Sequence, residues 1–149
     1  MGLITWIKRL FGAARTEGSA GFDPGAFVFV VVRDSSGPLQ RGEVYEDPID
    51  AALRARDLGQ VTGGGSQLGE AKADGTPTIA WCGIDVDLPS AAELEEALLL
   101  LRAELQRLEV PVGSELHYTE RGSRFLDRLE ANGWQLRQPR DILHPGFRC

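Results

Sequence analysis

The amino-acid sequence predicts one α+β domain, in which helices cover a face of an antiparallel sheet. Three observations lead to this prediction: a run of six aromatic or β-branched residues at 27–32, two capped segments with helical periodicity, and short segments that suit strands. The chain has 149 residues, 42% hydrophobic and 26% charged, which is typical of one globular core. We assign residues 26–149 to this domain and residues 1–25 to an N-terminal segment.

The N-terminal segment is predicted to form a short amphipathic helix over Leu3–Phe11, followed by a flexible linker rich in small residues. At helical spacing its apolar residues share one arc, with Lys8 and Arg9 on the opposite side. The apolar residues of the arc are Leu3, Ile4, Trp6, Ile7, Leu10 and Phe11. The apolar side of this helix has three possible contacts: a membrane surface, bound weakly, a partner protein, or the uncovered face of this domain's own sheet.

The first strand and helix follow the linker. Phe27–Val32 is too short for a buried helix and suits a central strand covered on both faces. A polar connection with turn residues comes next. Asp47 as cap, Pro48 at the first helical position and Gly59 beyond the last turn then predict a helix up to Leu58. Its core-facing residues are predicted to be Ile49, Ala52, Leu53 and Leu58.

Two further strands, Val61–Leu68 and Thr78–Leu88, flank a polar loop and predict an antiparallel hairpin. In the second strand the apolar residues move from odd-numbered to even-numbered positions. This change in alternation predicts a β-bulge at Cys82-Gly83. The run Gly63, Gly64 and Gly65 lacks the Lys-Ser/Thr of a phosphate loop and no helix follows it, so it indicates an irregular strand edge. Two uses of this edge are open: ligand binding by backbone groups, or self-association.

The second half of the domain begins with the best-defined helix. Ser90 and Glu93 form a capping box, and leucines then recur at helical spacing until Pro111. A strand is predicted near Glu115–Thr119, and Ser123 is predicted to cap a short C-terminal helix. The resulting order is βαββαβ, so we expect a ferredoxin-like antiparallel sheet with two helices on one face.

Charge limits the classes of partner. The net charge is −6, although residues 1–20 carry three basic residues against one acidic residue, or +2. The remaining −8 disfavours nucleic acid and favours a basic protein partner. The two cysteines, Cys82 and Cys149, are predicted to be free thiols. The sequence predicts no cofactor, no integral membrane segment and a cytoplasmic location.

The function expected from these features is protein binding. The small acidic α+β outline resembles bacterial inhibitor and immunity proteins in architecture and charge, which implies a non-enzymatic domain that neutralises a basic protein. The predicted binding surface contains five acidic residues, with two aromatic residues as anchors if they are exposed. These residues are Asp85, Asp87, Glu93, Glu95 and Glu96, with Trp81 and Tyr45 as the anchors.

A different class of function is a small metal-dependent enzyme. Asp34, Asp85 and Asp87 could hold a divalent cation, since hard cations prefer carboxylate oxygens. His117, two residues from Glu115, is then the candidate general base. This interpretation predicts one concave site in which the three aspartates and His117 meet. A self-associating regulatory module that forms homo-oligomers is the third possibility.

Overall fold

The structure is a computed structural model that describes residues 22–141, and the fold is α+β. The strands are β1 (Phe27–Val32), β2 (Gln60–Leu68), β3 (Ile79–Asp87), β4 (Glu115–Glu120), β5 (Ser123–Glu130) and β6 (Gly133–Pro139). They form one antiparallel sheet in the order β2-β3-β1-β4-β5-β6. The predicted helix at Leu3–Phe11 and the end of the chain after residue 141 lie outside the described residues.

The helices lie on one face of this sheet, which we call the helix face. They are α1 (Pro38–Arg41), α2 (Asp47–Ala55) and α3 (Leu94–Arg107). A π-helical turn at Gly42–Glu46 joins α1 to α2, and a 3₁₀ turn at Ala91–Glu93 leads into α3. Within residues 22–141, no helix is long and apolar enough to span a bilayer.

β1 lies inside the sheet and all six of its residues are buried, as predicted. Because side chains alternate along a strand, Val28, Val30 and Val32 join the apolar sides of α2 and α3 in one core cluster. Phe27, Phe29 and Val31 point to the opposite side, which we call the second face. The apolar run of β1 is therefore explained by burial on both faces.

α3 confirms the helix predicted from the leucine spacing. Ser90 accepts a hydrogen bond from the backbone N–H of Ala92 at 3.2 Å, which caps the 3₁₀ turn. The buried side of α3 consists of Leu94, Ala97, Leu98, Leu101 and Leu105. Full burial of one leucine contributes about 1.5–3 kcal/mol, so this side anchors the helix to the sheet.

The C-terminal part corrects the prediction of a short helix and of a four-stranded sheet. Residues 123–130 form β5 and are followed by β6, so the sheet has six strands. Arg121 and Gly122 have φ values of 50° and 81° and connect Glu120 directly to Ser123. Two positive φ angles in a two-residue loop are typical of a tight hairpin turn. Ser123 therefore begins a strand and does not cap a helix.

The predicted bulge at Cys82-Gly83 is also wrong. β1 pairs with β3 continuously through both residues. The irregularity lies earlier, where Gln67 pairs with Trp81 and Leu68 with Ile79, so that the pairing skips Ala80. Ile79 consequently reaches the main core, while Trp81 packs on the second face.

The connection after β1 is more helical than predicted. α1 and the π-helical turn occupy most of it, so the backbone is already helical at Glu46. Asp47 is therefore the first residue of α2 and not its N-cap, and at the end of the π-helical turn its backbone N–H donates to the Gly42 carbonyl. The predicted core positions Ile49, Leu53 and Leu58 are buried, and Gly59 has a φ of 127° as expected beyond the helix.

Candidate protein-binding surface

Four of the five predicted acidic residues lie where β3 leads into α3. Asp87 is the last residue of β3, Glu93 lies in the 3₁₀ turn, and Glu95 and Glu96 belong to the first turn of α3. Asp57, just after α2, lines the same groove as Asp87. We call Asp57, Asp87, Glu95 and Glu96 the acidic end.

The groove at the acidic end has a volume of about 460 Å³ and also contains Gln60 and Pro89. Its shape depends on Gly59, because a Cβ there would lie 2.1 Å from the backbone oxygen of Asp87. Arg54, on the groove wall, donates hydrogen bonds to Asp50 and to Gln60, both at 2.8 Å. The positive charge of Arg54 is thus already balanced by Asp50.

An apolar side chain lies beside the charges of α3. Leu99 is 57% exposed, and it follows Glu95 and Glu96 by one helical turn, so the three residues share the solvent side of α3. Both glutamates are exposed, and neither forms an ion pair within residues 22–141. A partner can contact this leucine and the two carboxylates together, because all three are open to solvent on one side of α3.

Glu93 has a structural role. Its carboxylate accepts a hydrogen bond from the Ser90 hydroxyl at 2.5 Å, and Ser90 in turn caps the turn before α3. Acidic residues at a helix N-terminus also interact favourably with the helix dipole. Glu93 therefore belongs to the cap, whereas Glu95 and Glu96 extend into solvent.

The other predicted contact residues are elsewhere. Asp85 is on the second face and fully buried, and Trp81 is half-buried there against Phe29, with the ring centroids 6.0 Å apart. Tyr45 is buried on the helix face, where its hydroxyl donates to Asp34 at 2.5 Å. Neither aromatic residue meets the condition of exposure that an anchor requires.

A polar cluster around Asp34 lies near the far end of β1. The hydrogen bond from Tyr45 is the main cause of the lowered pKa of Asp34, and burial raises the pKa of Tyr45. The thiol of Cys82 donates to the backbone oxygens of Asp34 and Ser36. Burial raises the pKa of Cys82, so its thiol is protonated and unreactive at neutral pH. Cys82 is a free cysteine, as predicted.

Glu115 and His117 form a second polar cluster, on the second face. Nε2 of His117 lies 2.9 Å from Glu115, and Arg128 donates to the other carboxylate oxygen at 2.8 Å. Burial alone would raise the pKa of Glu115, but the hydrogen bonds from His117 and Arg128 outweigh it and lower the pKa to about 2. Glu115 therefore stays ionised at neutral pH.

The residues of the metal-enzyme hypothesis are not brought together. Phe29 pairs with both Asp85 and His117, so these two lie on either side of it on the second face. Asp34 lies five residues after Phe29, a distance of roughly 16 Å in an extended strand. Its carboxylate accepts hydrogen bonds from Tyr45 and Ser36. In the described part of the chain, no three His, Cys, Asp or Glu residues are placed to hold a metal ion.

The glycine run lies on β2, at one edge of the sheet, and all three glycines are buried. Gly64 faces the helix side, where a Cβ would lie 2.9 Å from a carboxylate oxygen of Glu46. Gly63 and Gly65 pair with Asp85 and Gly83, so they belong to the second face. These glycines therefore allow close packing on both faces of an edge strand.

Comparison with known proteins gives no relative: no protein-family model, curated protein or solved structure matches this chain.

Two members of the candidate surface were not predicted from the sequence. Leu99 is not one of the residues that recur at helical spacing in α3, since it is one of two consecutive leucines between the buried positions 98 and 101. Asp57 falls within the helix predicted up to Leu58 and is not one of its core-facing residues. A helical projection with Leu98 and Leu101 at the centre of the buried side would have marked Leu99 as exposed.

Proposed function

We propose that this chain is a non-enzymatic protein-binding domain of the inhibitor or immunity type, whose acidic end neutralises a basic protein partner. The observation that carries the proposal is the solvent side of α3. There Leu99 is 57% exposed beside Glu95 and Glu96, and a groove at the end of β3 contains Asp57 and Asp87. An apolar contact surrounded by charge is the usual composition of a protein interface.

The charge distribution supports a basic partner. At the acidic end, Asp57, Glu95 and Glu96 are exposed, and Arg54 on the groove wall is bound to Asp50. The exposed arginines Arg121 and Arg124 lie at the β4–β5 turn, on the other side of β1 across the sheet. Exposed carboxylates of the acidic end attract and orient a cationic protein before contact, mainly by increasing the association rate.

The finer assignments of fold and location belong to the same proposal. The order β2-β3-β1-β4, with helices in the two crossovers, supports a ferredoxin-like unit to which the β5–β6 hairpin is added. A cytoplasmic location fits the buried free thiol of Cys82.

Affinity capture from the native host at low salt tests the proposal. We expect the full chain to retain a basic protein in stoichiometric amount and to release it as the salt concentration rises, because screening weakens exposed charge pairs. The double substitution Glu95→Gln and Glu96→Gln removes two charges without inserting new ones, and Leu99→Ala removes the apolar contact. Both variants should lose most of the captured protein.

The matched control is Glu43→Gln with Glu70→Gln, which removes the same charge from exposed residues near the opposite end of the sheet. This control should retain the partner. Equal loss in the control and in the α3 variants would mean that net charge alone causes capture, and the proposed surface would be rejected. Retention by the α3 variants would reject it too.

A further inference from the structure

The second face of the sheet is buried although no described element covers it. Phe29 is 1% exposed, Val31 2% and Asp85 0%. The cluster on this side contains Phe27, Phe29 and Val31 with Trp81 packed against it, and it includes no helix residue from 22–141. Neighbouring side chains within one sheet layer do not remove nearly all solvent contact, because each layer needs a second layer on its apolar face.

We propose that residues 1–21 form this second layer, with the apolar arc of Leu3–Phe11 lying on Phe27, Phe29, Val31 and Trp81. This assigns the segment to its own domain, and excludes a membrane surface or a partner as its main contact. The proposal does not depend on α3, because α3 lies on the helix face and the segment would cover the opposite one.

The position of Phe22, the first described residue, supports the assignment of the second face to residues 1–21. The ring of Phe22 meets the ring of Phe27 edge-on, with centroids 5.4 Å apart, so the described chain begins at the border of the second face. Residues 12–21 can span up to about 34 Å when extended. A nine-residue helix is about 13 Å long, comparable to the width of three neighbouring strands at about 4.8 Å spacing. The segment can therefore reach β1, β3 and β2.

The shape of the second face suits a helix. Next to the aromatic residues, Gly63 and Gly65 of β2 and Gly83 of β3 present no side chains. The ring of Phe29 lies across Gly83, where a Cβ would come within 2.4 Å of it. Beside the aromatic side chains, the glycines leave a shallow depression in the second face. The large apolar side chains of Leu3–Phe11 can pack closely into it.

Charge also matches. Residues 1–20 carry a net charge of +2, from three basic residues and one acidic residue. On the second face, the acidic residues Asp85 and Asp87 lie beside Phe29 and Phe27, and Glu115 lies on the neighbouring strand β4. A segment of net positive charge is favoured beside these acidic residues.

Single-tryptophan reporters in the full chain test the proposal. Trp6→Phe with Trp134→Phe leaves Trp81, which lies on the second face, and Trp6→Phe with Trp81→Phe leaves Trp134, which packs against the main core. In the first reporter, Leu10→Asp should raise acrylamide quenching of Trp81 roughly twofold or more, because a covered side chain becomes open to solvent. Thr5→Asp adds the same charge on the polar side and should leave the quenching unchanged.

The Trp134 reporter should change with neither substitution, and the mass in solution should stay that of a monomer. If Leu10→Asp unfolds the domain, both reporters will respond, and Leu10→Ala then replaces it, with a smaller rise expected for Trp81 alone. Unchanged quenching of Trp81 in a folded Leu10 variant would overturn the proposal. So would exposure of Trp81 by removal of residues 142–149 alone, or by dissociation of a dimer on dilution, since another occupant would then cover the face.

Discussion

The guanidinium of Arg41 donates a hydrogen bond to the carboxylate of Glu46 at 2.6 Å, and the two residues are only 1% and 4% exposed. The pair links α1 to the end of the π-helical turn, and Arg41 also donates to Ser66 of β2 at 2.8 Å. Gly64, whose missing side chain leaves space for Glu46, completes the arrangement. The buried ion pair and the bond to Ser66 thus connect α1, the π-helical turn and β2.

Breaking this pair should be costly. Glu46→Ala leaves the Arg41 charge buried without its carboxylate, so we expect the free energy of unfolding to fall by about 3–5 kcal/mol in urea titrations. The double variant Arg41→Met with Glu46→Leu removes both charges, and its loss should be much smaller than the sum of the two single losses. Additive losses would show that the two side chains do not stabilise the fold as a pair.

Gly83 should not tolerate a side chain. Gly83→Ala places a methyl group within 2.4 Å of the Phe29 ring, and we expect a loss of about 1–3 kcal/mol in the free energy of unfolding. Replacing Phe29 by Leu in the same chain should recover part of this loss, since the smaller side chain vacates the space. Gly37→Ala is the control, because nothing lies within 4 Å of its added Cβ. An equal loss at both glycines would contradict packing as the cause.

The Glu115 cluster should make stability depend on acid. The pKa of Glu115 is about 2 in the fold and 4.5 ordinarily, so the unfolded chain takes up the proton first as the pH falls. The stabilisation is complete above about pH 5 and is lost between there and pH 2. Glu115→Gln should therefore lower the free energy of unfolding by roughly 2–3 kcal/mol at pH 7 and by almost nothing near pH 2.

The matched control for Glu115 is Glu120→Gln, whose carboxylate pairs with Arg137 at an exposed site. Its effect at pH 7 should be small beside that of Glu115→Gln, because exposed ion pairs are weak. A constant difference between wild type and Glu115→Gln across the whole pH range would show that packing, and not charge, explains the loss.

The parts of the fold that were predictable from the sequence are those with strong local patterns. Phe27–Val32 has a composition that suits only a buried strand, and α3 has a cap and regular leucines. By contrast, Phe125, Leu126 and Leu129 fit one side of a helix and also a half-buried strand. The tight turn at Arg121-Gly122 decides between them, and a positive φ at an arginine is not recognisable in the sequence.

The candidate site was predictable in part for a similar reason. Glu95 and Glu96 are exposed because their positions in α3 follow from its periodicity. Asp85 and Asp87 share a face by strand alternation, yet Asp85 is fully buried and Asp87 is half-buried. Burial on a strand depends on what packs over that face, and sequence periodicity does not contain this information.

Amide hydrogen exchange of the captured complex, compared with the free chain, tests most directly whether the acidic end is the binding surface. We predict added protection in residues 57–60, 87–89 and 91–99, because a partner on the solvent side of α3 and in its groove shields these amides. Protection confined to the β4–β5 turn, with its exposed Arg121 and Arg124, or to β6, with α3 unchanged, would contradict the account. The partner would then bind away from the acidic end.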